Sequence, residues 1–119
     1  MITSLRPNEI FVFGSNANGI HAGGAALQAR KFGALYGVSE GPTGGQTYGI
    51  VTLDNGMLQV PLSYIKKQAE RLKFVAQNNP DYKFLLTPVG TGIAGFAREE
   101  IEPIFTSLPE NIINIGWNE

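Results

Sequence analysis

The sequence predicts an α/β domain of three layers, with a mostly parallel or mixed central sheet flanked by helices. Three observations carry that expectation. Residues 10–13 (IFVF) and 82–89 contain apolar runs of the kind that strands buried on both faces require. Segments of helical periodicity separate the strand-like segments, which implies parallel pairing through crossovers. Glycine-rich loops follow both buried runs, at the edge of such a sheet where ligands bind.

The elements follow in order. After the first strand, Gly14, Ser15 and Asn16 open a loop through Asn18, Gly19 and His21. From Gly24, the residues Ala25, Ala26, Ala29 and Phe32 recur at helical spacing, giving a helix with a small-residue face suited to close packing on a sheet. Residues 35–46 read as loop, broken by Gly37, Gly41, Pro42, Gly44 and Gly45. Residues 47–53 read as a strand, with a turn at Asp54, Asn55 and Gly56 and a return over 57–60 that makes a hairpin. Ile65, Ala69, Leu72 and Ala76 form the apolar stripe of a long helix, with Ser63 as its expected N-cap and Asn78, Asn79 and Pro80 as its stop. A helix is expected over 98–107, where Pro103 kinks it or marks a late start, and a last strand over 111–117.

The 119 residues, 43% of them hydrophobic, fit one domain spanning residues 1–119. No apolar run approaches the roughly 18–20 residues of a membrane span, and residues 1–9 hold no basic-then-apolar leader, so a cytoplasmic protein is expected. Zero cysteines exclude disulfides and thiolate chemistry, and a single histidine excludes a histidine metal cluster; neither a metal nor a resident cofactor is expected. Net charge is −1 and the basic residues are scattered, apart from Lys66, Lys67, Arg71 and Lys73 on one helix, so no general nucleic-acid binding is expected.

Glycine is the informative excess, at 15 of 119 residues. Gly90, Thr91, Gly92, Ile93, Ala94, Gly95 and Phe96 leave a strand and lead to a helix, so their amides can face an anion such as a diphosphate; the same glycines also serve a tight strand-to-helix turn. The loop lacks the lysine of a Walker motif. Asn16 and Asn18 can pair with ribose hydroxyls or simply stabilise turns, and His21 can orient a ribose, act as a base or cap a loop. No carboxylate pair or activated nucleophile is visible, which puts binding ahead of catalysis.

The strings IFVFGSNANGIHAGGAALQARKFGA, GPTGGQTYGI and LLTPVGTGIAGFAREEI resemble, in this order, three segments of the macro-domain superfamily, and resemble most its small members from bacteria and phages. The resemblance covers residues 10–104. It implies a cleft for ADP-ribose or another NAD-derived nucleotide, formed by Gly14, Ser15, Asn16, Gly23, Gly24, Thr47, Gly90, Thr91, Gly92, Ile93, Ala94, Gly95 and Phe96, with Phe96 against the distal ribose. Some relatives hydrolyse ADP-ribosyl bonds, which makes Asn16, Asn18 and His21 the catalytic candidates of an alternative, an ADP-ribosyl hydrolase. The family's upstream acidic residue for adenine has no counterpart beyond Glu9, so adenine recognition is not implied. A third alternative is a protein-interaction domain without a nucleotide, presenting Tyr36, Tyr48 and Trp117.

Overall fold

The structure, a computed structural model, describes residues 2–117. Its centre is a five-stranded sheet in the order β2-β3-β1-β4-β5, formed by β1 (Glu9–Asn16), β2 (Gly41–Gly44), β3 (Thr47–Leu53), β4 (Lys83–Leu86) and β5 (Ile112–Asn114). Only the β2–β3 pair is antiparallel. Helix α1 (Gly24–Lys31) packs on one face of the sheet, while α2 (Leu62–Gln77) and the short α3 (Arg98–Ile101) pack on the other. This is the expected mixed, mostly parallel three-layer arrangement.

Strand alternation explains the layers. Phe11 and Phe13 point to the α1 face and meet Ala29, with Ala25, Ala26 and Phe32 beside them. Val12 points the other way, into a larger cluster with Ile50, Ile65, Leu72, Leu86 and Ile101. Alanines on α1 let the helix lie close to the two phenylalanines, as the small-residue face predicts. Strand β1 therefore buries both faces and pairs on both edges, with Phe11 opposite Thr47 of β3 and Leu85 of β4.

Several expectations change at the ends of elements. Residues 41–44 form a strand rather than loop: β2 is an edge strand, where the missing N–H of the exposed Pro42 costs no buried hydrogen bond. Opposite it, Gly49 has room for no side chain, because an added Cβ would lie 2.2 Å from the Ser39 carbonyl oxygen. The return after the Asp54 turn makes one bridge, Leu53 to Gln59, rather than a hairpin of two strands. Pro61, not Ser63, is the N-cap of α2, and the Pro61 carbonyl accepts from Tyr64 N at 2.9 Å. The helix over 98–107 is cut to Arg98–Ile101, followed by a 3₁₀ turn at Glu102–Ile104, since Pro103 has no N–H to continue an α-helix. The last strand is shortened to three residues.

Two polar contacts fasten α2 to the sheet. Beyond the end of β2, Gln68 closes both exposed groups of one β3 peptide position: Val51 N donates to Gln68 Oε1 at 2.7 Å and Gln68 Nε2 donates to Val51 O at 2.8 Å. At the surface, Glu40 accepts from the Tyr64 hydroxyl and pairs with Arg71 at 3.4 Å.

Replacing Gln68 by leucine is expected to lower unfolding free energy by about 2–4 kcal/mol despite added apolar surface, because two buried backbone groups lose their partners; urea denaturation measures it. The hydrogen bond to Glu40, followed by partial burial and the same carboxylate's field, raises the Tyr64 phenol above its usual 10.0, with Arg71 opposing. A raised folded value stabilises the native state below the unfolded value, and this contribution is lost as pH climbs through the folded one. Melting temperature should thus fall more steeply above about pH 10 in the parent than in Tyr64→Phe; equal slopes would disconnect Tyr64 from alkaline unfolding.

Candidate functional site

At β1 the direction of strand addition reverses. The chain leaves β1 towards α1 on one face and leaves β4 towards α3 on the other, so the two loops part and open a crevice between neighbouring strand ends. A cleft of about 480 Å³ lies there, within the range of small-molecule sites. Its base is narrow: an added Cβ at Gly14 would lie 3.2 Å from Gly90 N, so glycine at the end of β1 lets the two loops start almost in contact. Above this, the β1–β3 register slips between Ser15 and Asn16, which turns the strand end into the loop.

The cleft is walled by backbone. Among the described residues, the amides of Gly92, Ile93 and Ala94 meet no protein acceptor, whereas Gly95 N bonds Gly92 O and Phe96 N bonds Gly90 O to hold the loop's shape. On the facing wall, Gly23 is the N-cap of α1 and provides no side-chain cap, and the first backbone bond of the helix runs from Leu27 N to Gly23 O. The amides of Gly24, Ala25 and Ala26 thus have no intrahelical acceptor at the positive end of the helix dipole. The two walls approach closely, since a Cβ on Gly23 would lie 3.2 Å from Ile93 Cδ1.

Side chains add polarity but no charge. No ionisable side chain lines the cleft among the described residues. Its four hydroxyls already donate to carbonyls: Ser15 to Ser39, Thr52 to Ser15, Thr87 to Val12 and Thr91 to Pro88. They retain acceptor capacity but have no base to activate them.

Of the residues expected in a ligand site, Gly14, Ser15, Asn16, Gly23, Gly24, Gly90, Thr91, Gly92, Ile93 and Ala94 come together here, with Asn18. Three do not line the cleft. Thr47 starts β3 at the opposite edge of the sheet, where its hydroxyl bonds that of Thr43 and the Gly44 carbonyl. Phe96 is buried in the core beneath Gly90, and Gly95 turns outward behind the loop. His21 does not line it either. It is 4% exposed beneath its loop, edge-on to Phe13 at 5.3 Å, and its Nε2 lies 3.0 and 3.2 Å from the carbonyl oxygens of Leu35 and Val38. Two carbonyl acceptors require Nε2 to carry hydrogen; His21 Nδ1 is buried without a partner.

Asn16 reaches the cleft while serving its own loop: its Nδ2 donates to Ile20 O at 2.7 Å and its Oδ1 accepts from Ile20 N at 3.1 Å. Asn18 Nδ2 ties the loop to Asn55 O at 3.1 Å. The aromatic trio of the interaction alternative is dispersed: Tyr48 is buried, Trp117 is half-buried with Nε1 on Leu86 O, and Tyr36 alone is exposed, at 81%.

Sequence reasoning missed Thr52, Leu53 and Met57, which close a third side. The signal was available, because a parallel β3 beside β1 must end at the same edge. It also missed a groove of about 810 Å³ on the α1 face, which joins the cleft at Gly24, Ala25, Thr87 and Pro88 and runs past Ile2, Gln28 and Ile115, with Lys31 at its side. No family model matches the chain, and no curated protein matches it. No group of three or more His, Cys, Asp or Glu side chains that could hold a metal ion occurs among the described residues, and no helix there is long and apolar enough to cross a membrane.

Asn16→Ala is expected to destabilise the protein by about 1–2 kcal/mol, because the Ile20 peptide loses both partners in a part-buried loop. Thermal unfolding checks it; an unchanged melting temperature would free Asn16 from the bracing role.

Proposed function

We propose that this chain is a macro-domain-like module that binds ADP-ribose or a related NAD-derived nucleotide in the cleft between β1 and β4. One observation carries the reading: Gly92, Ile93 and Ala94, whose amides have no protein acceptor among the described residues, line the same cleft as the uncapped start of α1, and no charged side chain lines it. Unpaired N–H groups gathered along one cleft favour the oxygens of a diphosphate, and the helix dipole adds to them. The adjoining groove has the volume for the rest of a dinucleotide-sized molecule, which supports a ligand longer than a phosphate. The order of the three resembling segments supports the same ligand class. Binding accounts for the site better than hydrolysis does, because neither a carboxylate nor the His21 imidazole lines the cleft among the described residues.

ADP-ribose at a hundredfold excess over its Kd is expected to stabilise the protein by about 2.7 kcal/mol, read as a rise in melting temperature. No shift with any ADP-ribose-type ligand at millimolar concentration would remove the proposal. Gly92 is the position at which to separate binding from folding: its backbone is outside the left-handed region and an added Cβ meets nothing within 4 Å. Gly92→Glu should therefore fold while losing affinity by roughly a hundredfold or more, since like charges brought together at a site cost several kcal/mol. Unchanged affinity in the folded variant would place the ligand elsewhere. Release of ADP-ribose from a modified protein or nucleic acid by the purified chain would instead favour the hydrolase.

A further inference from the structure

We infer that the cleft selects phosphates bearing one negative charge each, as in a diphosphate or phosphodiester substituted at both ends, over terminal phosphate monoesters. The inference rests on the binding reading above and concerns the charge state of the ligand that the same site accepts.

The walls offer dipoles and no cation. The unpaired amides of Gly92, Ile93 and Ala94 and the first turn of α1 supply partial positive charge, while Ile20, Ala22 and Val89 make much of the remaining surface apolar. Attraction between an anion and fixed dipoles grows in proportion to the anion's charge. The cost of removing the anion from water grows as the square of that charge. A doubly charged monoester therefore doubles what the amides return but raises the desolvation cost about fourfold, by the same Born scaling. A lysine or arginine in the wall would offset the second charge. The charged groups nearest in the chain are placed elsewhere: Asp54 Oδ1 accepts from Gly56 N and Leu58 N, Arg98 pairs with Glu102 at 3.8 Å, and Arg30 and Lys31 stand in the last turn of α1, with Lys31 lining the adjoining groove. The preference thus follows from a site built of backbone, whichever base or sugar the ligand carries.

Calorimetric titration with ADP-ribose and with ADP, at pH 8 and pH 5.5 in the presence of EDTA, tests this. The terminal phosphate of ADP takes up one proton near pH 6, passing from dianion to monoanion, so ADP should bind up to roughly seventyfold more tightly at pH 5.5 than at pH 8. ADP-ribose has no terminal phosphate and should change less than about twofold over the same interval, which also reports any titration of the protein itself. Ala22 is exposed at the cleft wall. Ala22→Lys adds the missing cation there and should tighten ADP at pH 8 while flattening its pH dependence. ADP affinity that is flat with pH and equal to that of ADP-ribose overturns the charge rule while leaving the cleft a nucleotide site. Failure of both ligands to bind at either pH overturns the binding reading, and the charge rule with it.

Discussion

Everything in this molecule depends on the pairing of β1 along both of its edges. A strand with β3 on one side and β4 on the other, and with phenylalanines on one face and Val12 on the other, has no free surface. The chain can extend the sheet in both directions from it only by crossing on opposite faces, which gives both crossovers the same hand. Helix α1 takes one face and α2 and α3 take the other. The crevice at the end of β1 is the geometric remainder of that arrangement.

The crevice owes its chemistry to the main chain. Glycines at 14 and 90 bring the strand ends together, and Gly90 adopts a φ of +80° that turns the second loop away from the sheet. Side chains around them are occupied with structure: the hydroxyls are bonded to carbonyls, and Asn16 is bonded at both ends of its amide. What is left unpaired is a set of N–H groups held in place by their neighbours' hydrogen bonds. Such a surface needs little rearrangement to receive oxygen atoms, a form of preorganisation. No ionisable side chain lines it among the described residues.

Much of this was legible in the residues. The apolar runs, the alanine face of α1 and the stripe of α2 gave the layers, because hydrophobic periodicity is imposed by burial itself. That the loops after β1 and β4 border one cleft was legible because parallel strands end together. Strand β2 was hidden, since a GPTG segment carries every mark of a turn and is held as a strand by pairing with β3 rather than by its own preference. That Thr47 lies away from the cleft was hidden for a related reason: a motif can be aligned along a sequence without revealing which end of its strand borders the cleft. The place of Phe96 was open, because an aromatic beside a glycine loop can serve either a pocket or the core, and here it fills the space under Gly90. The bond of Gln68 to Val51 left no trace in the pattern, as a polar residue among apolar neighbours reads simply as the edge of a helical stripe.

The seating of His21 bears on how genetic variation at this locus would be interpreted. Its ring clasps the carbonyls of Leu35 and Val38 from below, and Gly37 N reaches the Gly19 carbonyl at 3.0 Å, so the wall carrying Asn18 and Ile20 is fastened to a segment outside the cleft lining. A survey of tolerated substitutions would then find intolerance at His21, Gly19 and Gly37 as strong as at the cleft. Ranked by phenotype alone, these three would pass for cleft residues, although what they supply is the mounting of the cleft wall.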